Sequence, residues 1–347
     1  MRSQDRKVLF VGAGAIGASV AAWTAPHHEE LYIMDIGEVQ DALKTKGITV
    51  YQTDQPDQSR MTVRIKTIDR AEELPDVDII ILAVKNYDLP AIAEILKKAV
   101  GDGPIIVSLA NGTENQVILP NYFSKVIYGV ISYNARRDQL VVIGYQKKGP
   151  LFIGTPDNTL MDELKMVQDI LGTGCETIIV DHLQNAVHSK IVMNLTNALD
   201  TLVGRGYCPV SNFTVYQKLL SQTLWEGVRV IKAAGYKEFK MSGLPSFLLL
   251  RLGAAMPAWV IRPIFKHKIK SMVISSMTQD ILLRGSGVSE IDSLTGYMVR
   301  LAEKHNVQTP YNKTLYRLAK EHFSPDFQPM RCEDVLAAVE KTKQAMD

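Results

Sequence analysis

KVLFVGAGAIG, residues 7–17, is the stretch on which the reading of the chain turns. KVLFV is a short β-branched and aromatic run, the composition of a strand. It breaks off at Gly12, Gly14 and Gly17. ASVAAWTA then has helical character, and LYIMD (31–35) reads as a second strand. Strand, glycine turn, helix and strand make one βαβ unit.

The alternation continues outward from that unit. VDIIILAV (77–84) is a continuous apolar run of the kind found in parallel strands buried on both faces. Residues 89–100 have helical spacing. Further strands are expected at 104–109, 125–130, 140–144 and 151–154. Strands alternating with helices predict an α/β Rossmann-type, doubly wound parallel sheet. After about Val180 strand-like runs become scarce. Segments 182–203, 214–234, 268–284, 289–305 and 310–322 read as helices. Gly235 stands where a helix C-cap is expected, and Ser289 with Asp292 resembles a helix start. The expected division is a dinucleotide-binding domain over 1–181 and an all-α substrate and dimerisation domain over 182–347, with no internal repeat.

Gly12, Gly14 and Gly17 form G-x-G-x-x-G between a strand and a helix. In that context the first glycine permits the tight turn. The second lets the backbone approach a pyrophosphate, and the third lets helix and strand pack closely. The helix N-terminus offers unpaired N–H groups and a positive dipole end to phosphates. Gly12, Ala13, Gly14, Ala15, Ile16 and Gly17 are therefore the expected cofactor loop. Asp35, at the end of the second strand, is placed to bond a ribose hydroxyl and repel a 2′-phosphate, which favours NAD. Lys44 and Lys46 lie near enough to leave NADP open.

Bulk properties narrow the field. A chain of 347 residues is long for one core, so two domains are expected. The formal net charge of +2 gives no concentrated basic face for nucleic acid. Cys175, Cys208 and Cys332 are odd in number and contain no C-x-x-C pair. This suggests neither a disulfide framework nor a thiolate zinc site, and reduced thiols point to the cytoplasm. The polar N-terminus lacks the apolar core of a signal peptide. LPSFLLLRLGAAMPAWVIRPIF (244–265) is the most membrane-like stretch, but Arg251, Arg262 and three prolines argue against a span. Buried or partner-facing helices are expected there, and no membrane partner. His182 and His188 are poorly spaced for joint ligation, and the other histidines are scattered. No metal site is expected.

Lys85 closes the strand ending in AVK, and Asn111-Gly112 follows the strand in VSLANG. Both stand where ligands sit in open α/β sheets. A surface lysine and an Asn-Gly turn are the bland alternatives. Lys190, Asn194 and Asn197 fall at i, i+4 and i+7, on one helical face. A cation and two amides there suit a polar substrate and a proton donor, or equally a solvated face.

GAGAIG, AVK (83–85), LANG (109–112), SKIVMNLTNAL (189–199) and SSMTQDILLRGSGVSEIDSLTG (275–296) together resemble the ketopantoate reductase (2-dehydropantoate 2-reductase) family, in order and over nearly the whole chain. The resemblance implies an NAD(P)H-dependent reduction of the C2 ketone of ketopantoate to pantoate, in pantothenate and coenzyme A biosynthesis. It implies that Lys190 is the catalytic proton donor, and that Glu290 binds the substrate hydroxyl and orients the reacting group. Asn194, and less directly Asn197, would bind substrate. Ser276 would hold the substrate carboxylate, and Lys85 and Asn111 would line the cofactor and substrate site. A homodimer through the helical domain is the assembly it suggests. The family more often uses NADPH, with a basic residue where Asp35 stands, so NADP remains open beside NAD. The 279–290 segment is about two residues longer than in familiar members, and 244–265 lies outside the minimal pattern. Two other functions remain: a dehydrogenase of a different 2-oxo or 2-hydroxy acid, and a nonenzymatic NAD(P)-sensing protein.

Overall fold

The computed structural model describes residues 5–241, 244–257, 259, 260, 262 and 274–346. The chain divides into two compact units, Met1–Gln184 and Asn185–Asp347. The first contains strands β1 Val8–Val11, β2 Leu31–Met34, β3 Ile48–Gln52, β4 Met61–Val63, β5 Lys66–Thr67, β6 Ile79–Leu82, β7 Ile105–Ser108, β8 Val126–Ile131, β9 Ala135–Gln139, β10 Val142–Tyr145, β11 Leu151–Gly154 and β12 Thr177–Ile179. Its helices are α1 Ala15–Thr24, α2 Gly37–Lys46, α3 Leu89–Val100, α4 Asn115–Ile118 and α5 Met161–Leu171.

The main sheet runs β12-β11-β8-β7-β6-β1-β2-β5. Every residue of β1, β6, β7, β8 and β11 is buried, as their unbroken apolar sequences require. From β1 the chain crosses to β2 on one side and returns at β6 on the other. The strand order therefore reverses beside the glycine turn, where doubly wound sheets bind ligands. Helix α3 begins with Pro90 in its first turn and buries Leu89, Ala93 and Leu96, one stripe at i, i+4 and i+7.

Two features differ from the sequence expectation. The sheet is parallel from β5 to β8, but β11 pairs antiparallel with β8. No helix separates those strands. The chain goes out through β9 and β10, and an antiparallel neighbour needs no crossover helix. The strand expected at 140–144 is β10, and it belongs to a second sheet, ordered β4-β3-β10-β9. That sheet covers α1, which touches β3, β9 and β10. Hence Gly17–Thr24 is buried all round, with Trp23 packed on the rings of Tyr133 (5.2 Å) and Tyr145 (5.0 Å).

The second unit is helical among the described residues. Its elements are α6 Leu183–Asn194, α7 Thr196–Leu202, α8 Phe213–Ala233, α9 Phe247–Ala255, α10 Ser276–Thr278, α11 Tyr297–Lys304, α12 Pro310–His322 and α13 Cys332–Gln344. Leu183 and Gln184, the start of α6, go with the first unit: Leu183 packs at Gly154, and Gln184 donates to Gln116 (2.6 Å). The helix expected over 182–203 breaks at Leu195, whose N–H is shared between the Ile191 and Val192 carbonyls. Wide π turns at Gln279–Leu283 and Asp292–Gly296 extend α10 and precede α11. Ser289 does not cap the latter, whose N-cap is Ile291. Residues 268–273 of another expected helix lie outside the described residues. Gly235 ends α8 at φ +88°, with Tyr236 N–H donating to the Ile231 carbonyl, the capping expected.

The central helix α8 carries a buried carboxylate, Glu226, that accepts the Tyr311 and Asn312 N–H groups (3.0 and 2.9 Å) at the start of α12. Asn312 Nδ2 donates to it as well. Burial outweighs these bonds and raises its pKa to about 7. A second buried acid, Asp200 on α7, pairs with Arg205 at 2.8 Å and accepts from Tyr216 at 2.7 Å.

The glycine turn gives a sharp test of packing. A Cβ on Gly17 would lie 2.0 Å from the Gly12 oxygen, whereas one on Gly14 meets nothing within 4 Å. Gly17→Ala is expected to cost about 1–3 kcal/mol, read as a lower urea midpoint. Gly14→Ala should stay within about 0.5 kcal/mol of the parent.

Candidate active site

In the first unit, β1 delivers the chain into Gly12, whose N–H donates to the Met34 carbonyl (3.0 Å). Its φ is +98°, and a Cβ there would meet the Ala83 oxygen and Val84 Cγ1, each at 2.9 Å. The AVK end of β6 thus forms the wall of the turn. Helix α1 starts at Ala15 with Gly14 as N-cap and no side chain capping it. Crowding at Gly12 and Gly17 with open space at Gly14 is the cradle a dinucleotide pyrophosphate needs, so the loop fits that group.

Asp35 lies at this loop. Its Oδ2 accepts the Ala13 N–H (2.6 Å), and its Oδ1 accepts the Ile36 N–H (2.7 Å). Gln40 Oε1 accepts the Asp35 N–H (2.9 Å). The carboxylate therefore also ties β2 to the glycine turn, a role the sequence pattern does not reveal. Ile36 beside it is 82% exposed.

Lys85 follows β6 and Asn111 follows β7, and both are partly buried. Two residues missed from the sequence join these strand ends. Asn86, almost fully buried, donates its amide to the Asn111 carbonyl. Asn115 donates to Ser108 Oγ (3.0 Å) and the Ala110 carbonyl (3.3 Å). The one available signal was an amide close after each loop motif, Asn86 next to AVK and Asn115 three residues past LANG.

In the second unit, nearly every residue from 186 to 203 is buried. The exceptions are Lys190, Met193, Asn194 and Asn197, which keep partial access. They form the expected stripe, interrupted only by the turn at Leu195. Burial lowers the Lys190 pKa to about 8. Among the described residues no carboxylate pairs with Lys190. The helix is fixed from behind. His188 stacks on Tyr236 (3.5 Å between ring centroids) and its Nε2 bonds the Tyr297 hydroxyl (2.7 Å). Ser189 Oγ accepts the Phe239 N–H (2.9 Å).

Ser276 is exposed in the first turn of α10. Its neighbour Ser275 is the N-cap, accepting the Thr278 N–H (3.1 Å). Thr278 Oγ1 meets Thr201 Oγ1 at 3.0 Å, which pins this turn to α7, the helix of Asn197. Glu290 is only 6% exposed and begins the wide turn before α11, its carbonyl accepting from Leu294 N–H (3.1 Å). Asp292 anchors that turn by accepting from the Tyr316 hydroxyl (2.6 Å) and Lys320 (3.0 Å). Among the described residues no cluster of His, Cys, Asp and Glu is arranged to hold a metal, and none of their helices is long and apolar enough to cross a membrane.

A Rossmann-type unit with a dinucleotide cradle, followed by a helical unit presenting a half-buried lysine, defines an NAD(P)-dependent oxidoreductase acting on CH–OH groups. The family model described as "Ketopantoate reductase PanE/ApbA" matches residues 8–158, and its C-terminal counterpart matches 182–323. The chain belongs to the ketopantoate reductase family. It is 27% identical to the 2-dehydropantoate 2-reductase of Archaeoglobus fulgidus over 91% of this chain and 97% of that one. It shares its fold with D-mandelate dehydrogenase in ternary complex with NADH and anilino(oxo)acetate (TM-score 0.72, 17% identity, covering 97% and 99% of the two chains). It also shares it with the dimeric ketopantoate reductase of Staphylococcus aureus (TM-score 0.63, 22% identity, covering 91% and 98%).

Two outcomes follow from the geometry. Gly14→Ala, with its fold intact, should weaken NADH binding at least about tenfold by fluorescence titration, because the methyl fills the cradle. The second concerns Lys190. Between about pH 8 and its ordinary 10.5 the unfolded chain holds this proton more tightly than the folded one. Stability should therefore climb with pH across that window. Lys190→Met should be more thermally stable than the parent at pH 7, with the advantage shrinking above pH 8.

Proposed function

We propose that the chain reduces the C2 ketone of 2-dehydropantoate to the 2-hydroxy acid, with Lys190 as the proton donor. The first unit serves as the dinucleotide-binding domain and the second as the substrate domain. The observation that carries the assignment of Lys190 is its setting: a lysine of lowered pKa, unpaired with any carboxylate among the described residues, on a polar stripe of an otherwise buried helix. Asn194 and Asn197 share that stripe. A reduced nicotinamide nucleotide in the glycine cradle would supply the hydride. As the ketone oxygen gains negative charge, the Lys190 ammonium stabilises it and then gives up its proton, leaving a neutral amine and the alcohol. With a pKa near 8 the lysine is mostly charged at neutral pH and yields its proton more readily than an exposed lysine.

The remaining roles are binding and orientation. Glu290 accepts from the substrate hydroxyl, Asn194 and Asn197 hold polar substrate groups, and Ser276 takes the carboxylate. Lys85 and Asn111, braced by Asn86, line the nicotinamide end. Asp35 bonds the adenosine ribose and disfavours a 2′-phosphate, so NADH is the preferred nucleotide. Reduced, unpaired Cys175, Cys208 and Cys332 suit the cytoplasm. The helical unit is the expected homodimer contact. A different 2-oxo acid is the second reading. It is supported by the fold shared with a mandelate enzyme.

The test follows nicotinamide absorbance with purified protein, ketopantoate and a panel of other 2-oxo acids. Lys190→Ala should lose about 10²-fold or more in kcat, and a near-normal rate would remove Lys190 from its role. Ketone reduction by the parent should fall as pH rises through about 8, because the donor is then deprotonated. NADH should exceed NADPH in kcat/KM by about tenfold or more, and Asp35→Ser should narrow that ratio. Turnover of another oxo acid without ketopantoate would select the second reading.

A further inference from the structure

Helix α9 buries Phe247 and Leu250, and Gln222 Nε2 of α8 donates to the Ala254 carbonyl (2.8 Å). That accounts for its inner face. On the outer face Leu248 is 62% exposed, Leu249 57% and Leu252 40%, followed by Met256, Val260 and Trp259, the last 77% exposed. So many exposed large apolar side chains in one short stretch, a tryptophan among them, are unusual on a soluble surface. Arg251 and Arg262 of the same stretch are exposed as well.

The charge of the region has one sign. Between Glu238 and Asp280 the sequence contains Lys240, Arg251, Arg262, Lys266, Lys268 and Lys270 and no Asp or Glu. Two acids on the segments adjoining α9 are already engaged. Glu238 accepts the Phe247 N–H at the start of α9 (3.0 Å), and Glu226 of α8 is buried at the start of α12. A second copy of the chain meeting this face with the same face would set Arg251 and Arg262 against their own kind, which like-charge repulsion opposes.

We infer that the α9 face, Leu248, Leu249, Leu252, Met256, Trp259 and Val260 with Arg251 and Arg262, docks the protein on an anionic lipid bilayer. Apolar side chains enter the acyl boundary, tryptophan sits at the headgroup level, and arginines meet lipid phosphates. The expectation of no membrane partner rested on the criteria for a spanning helix. Lying in the interface is a different arrangement, and the exposed face fits it. A peripheral contact of this kind leaves the reductase chemistry in water and is reversible by salt.

The experiment is co-sedimentation of the full chain with large vesicles of equimolar phosphatidylglycerol and phosphatidylcholine, compared with pure phosphatidylcholine. Binding should be at least about tenfold tighter to the anionic vesicles and should weaken with added salt. The triple variant Leu248→Ser, Leu249→Ser, Trp259→Ser should lose about tenfold or more, and so should Arg251→Glu with Arg262→Glu. Far-ultraviolet circular dichroism and NADH binding should match the parent in both. Absence of binding to anionic vesicles, equal binding to both lipids, or parental binding by folded variants would each overturn the inference. So would sedimentation equilibrium showing that the same variants turn a dimer into monomers, because a second copy would then occupy the face.

Discussion

No side chain fits at Gly17. Its Cα faces the Gly12 carbonyl so closely that a methyl group would lie 2.0 Å from that oxygen and 2.7 Å from Ala83. This contact fixes α1 against the ends of β1 and β6. The consequences spread outward. A helix held that deep is buried on all sides, so its sequence is limited to small and apolar residues such as Ala18, Val20, Ala21 and Ala22. A second sheet of β3, β4, β9 and β10 can then close over it. The helix start points along the turn, and Gly14 is left as the open place in a crowded loop.

The helical unit is governed by how it treats buried charge. Burying an ionised group is costly unless partners replace the water it loses. Asp200 has Arg205 and the Tyr216 hydroxyl, and Glu226 has the N–H groups that open α12. Both use their charge to join helices. Lys190 breaks the pattern, since among the described residues it is desolvated without a carboxylate partner and its pKa falls accordingly. The three ionisable groups are thus distinguished by their partners among the described residues. His188, stacked on Tyr236 and bonded to Tyr297, shows how much of the surrounding packing serves to hold the lysine helix still.

Helix α9 breaks the usual economy in the opposite sense, by leaving apolar side chains in water. Its two faces are both hydrophobic, so periodicity alone assigns no outside. Only the packing on α8 separates Phe247 and Leu250 from Leu248, Leu249 and Leu252.

The sequence by itself determined the first βαβ unit, the tight turn at Gly12 and the close packing at Gly17, the extent of α3 and α12, and the identity of the family. These are set by local signals: backbone freedom, apolar periodicity and motifs of fixed spacing. It also placed Lys190, Asn194 and Asn197 on one stripe, since helical spacing survives the break at Leu195. Tertiary structure alone decided what depends on neighbours distant along the chain. It moved β10 into a second sheet and turned β11 antiparallel, because strand pairing is a long-range choice that no single strand encodes. It gave the Asp35 carboxylate to the glycine turn and made Asn86 and Asn115 the braces of the strand ends. It also set the desolvation that lowers the Lys190 pKa. Burial and hydrogen-bond partners are properties of the folded environment, and the same residue types elsewhere in the chain carry none of these roles.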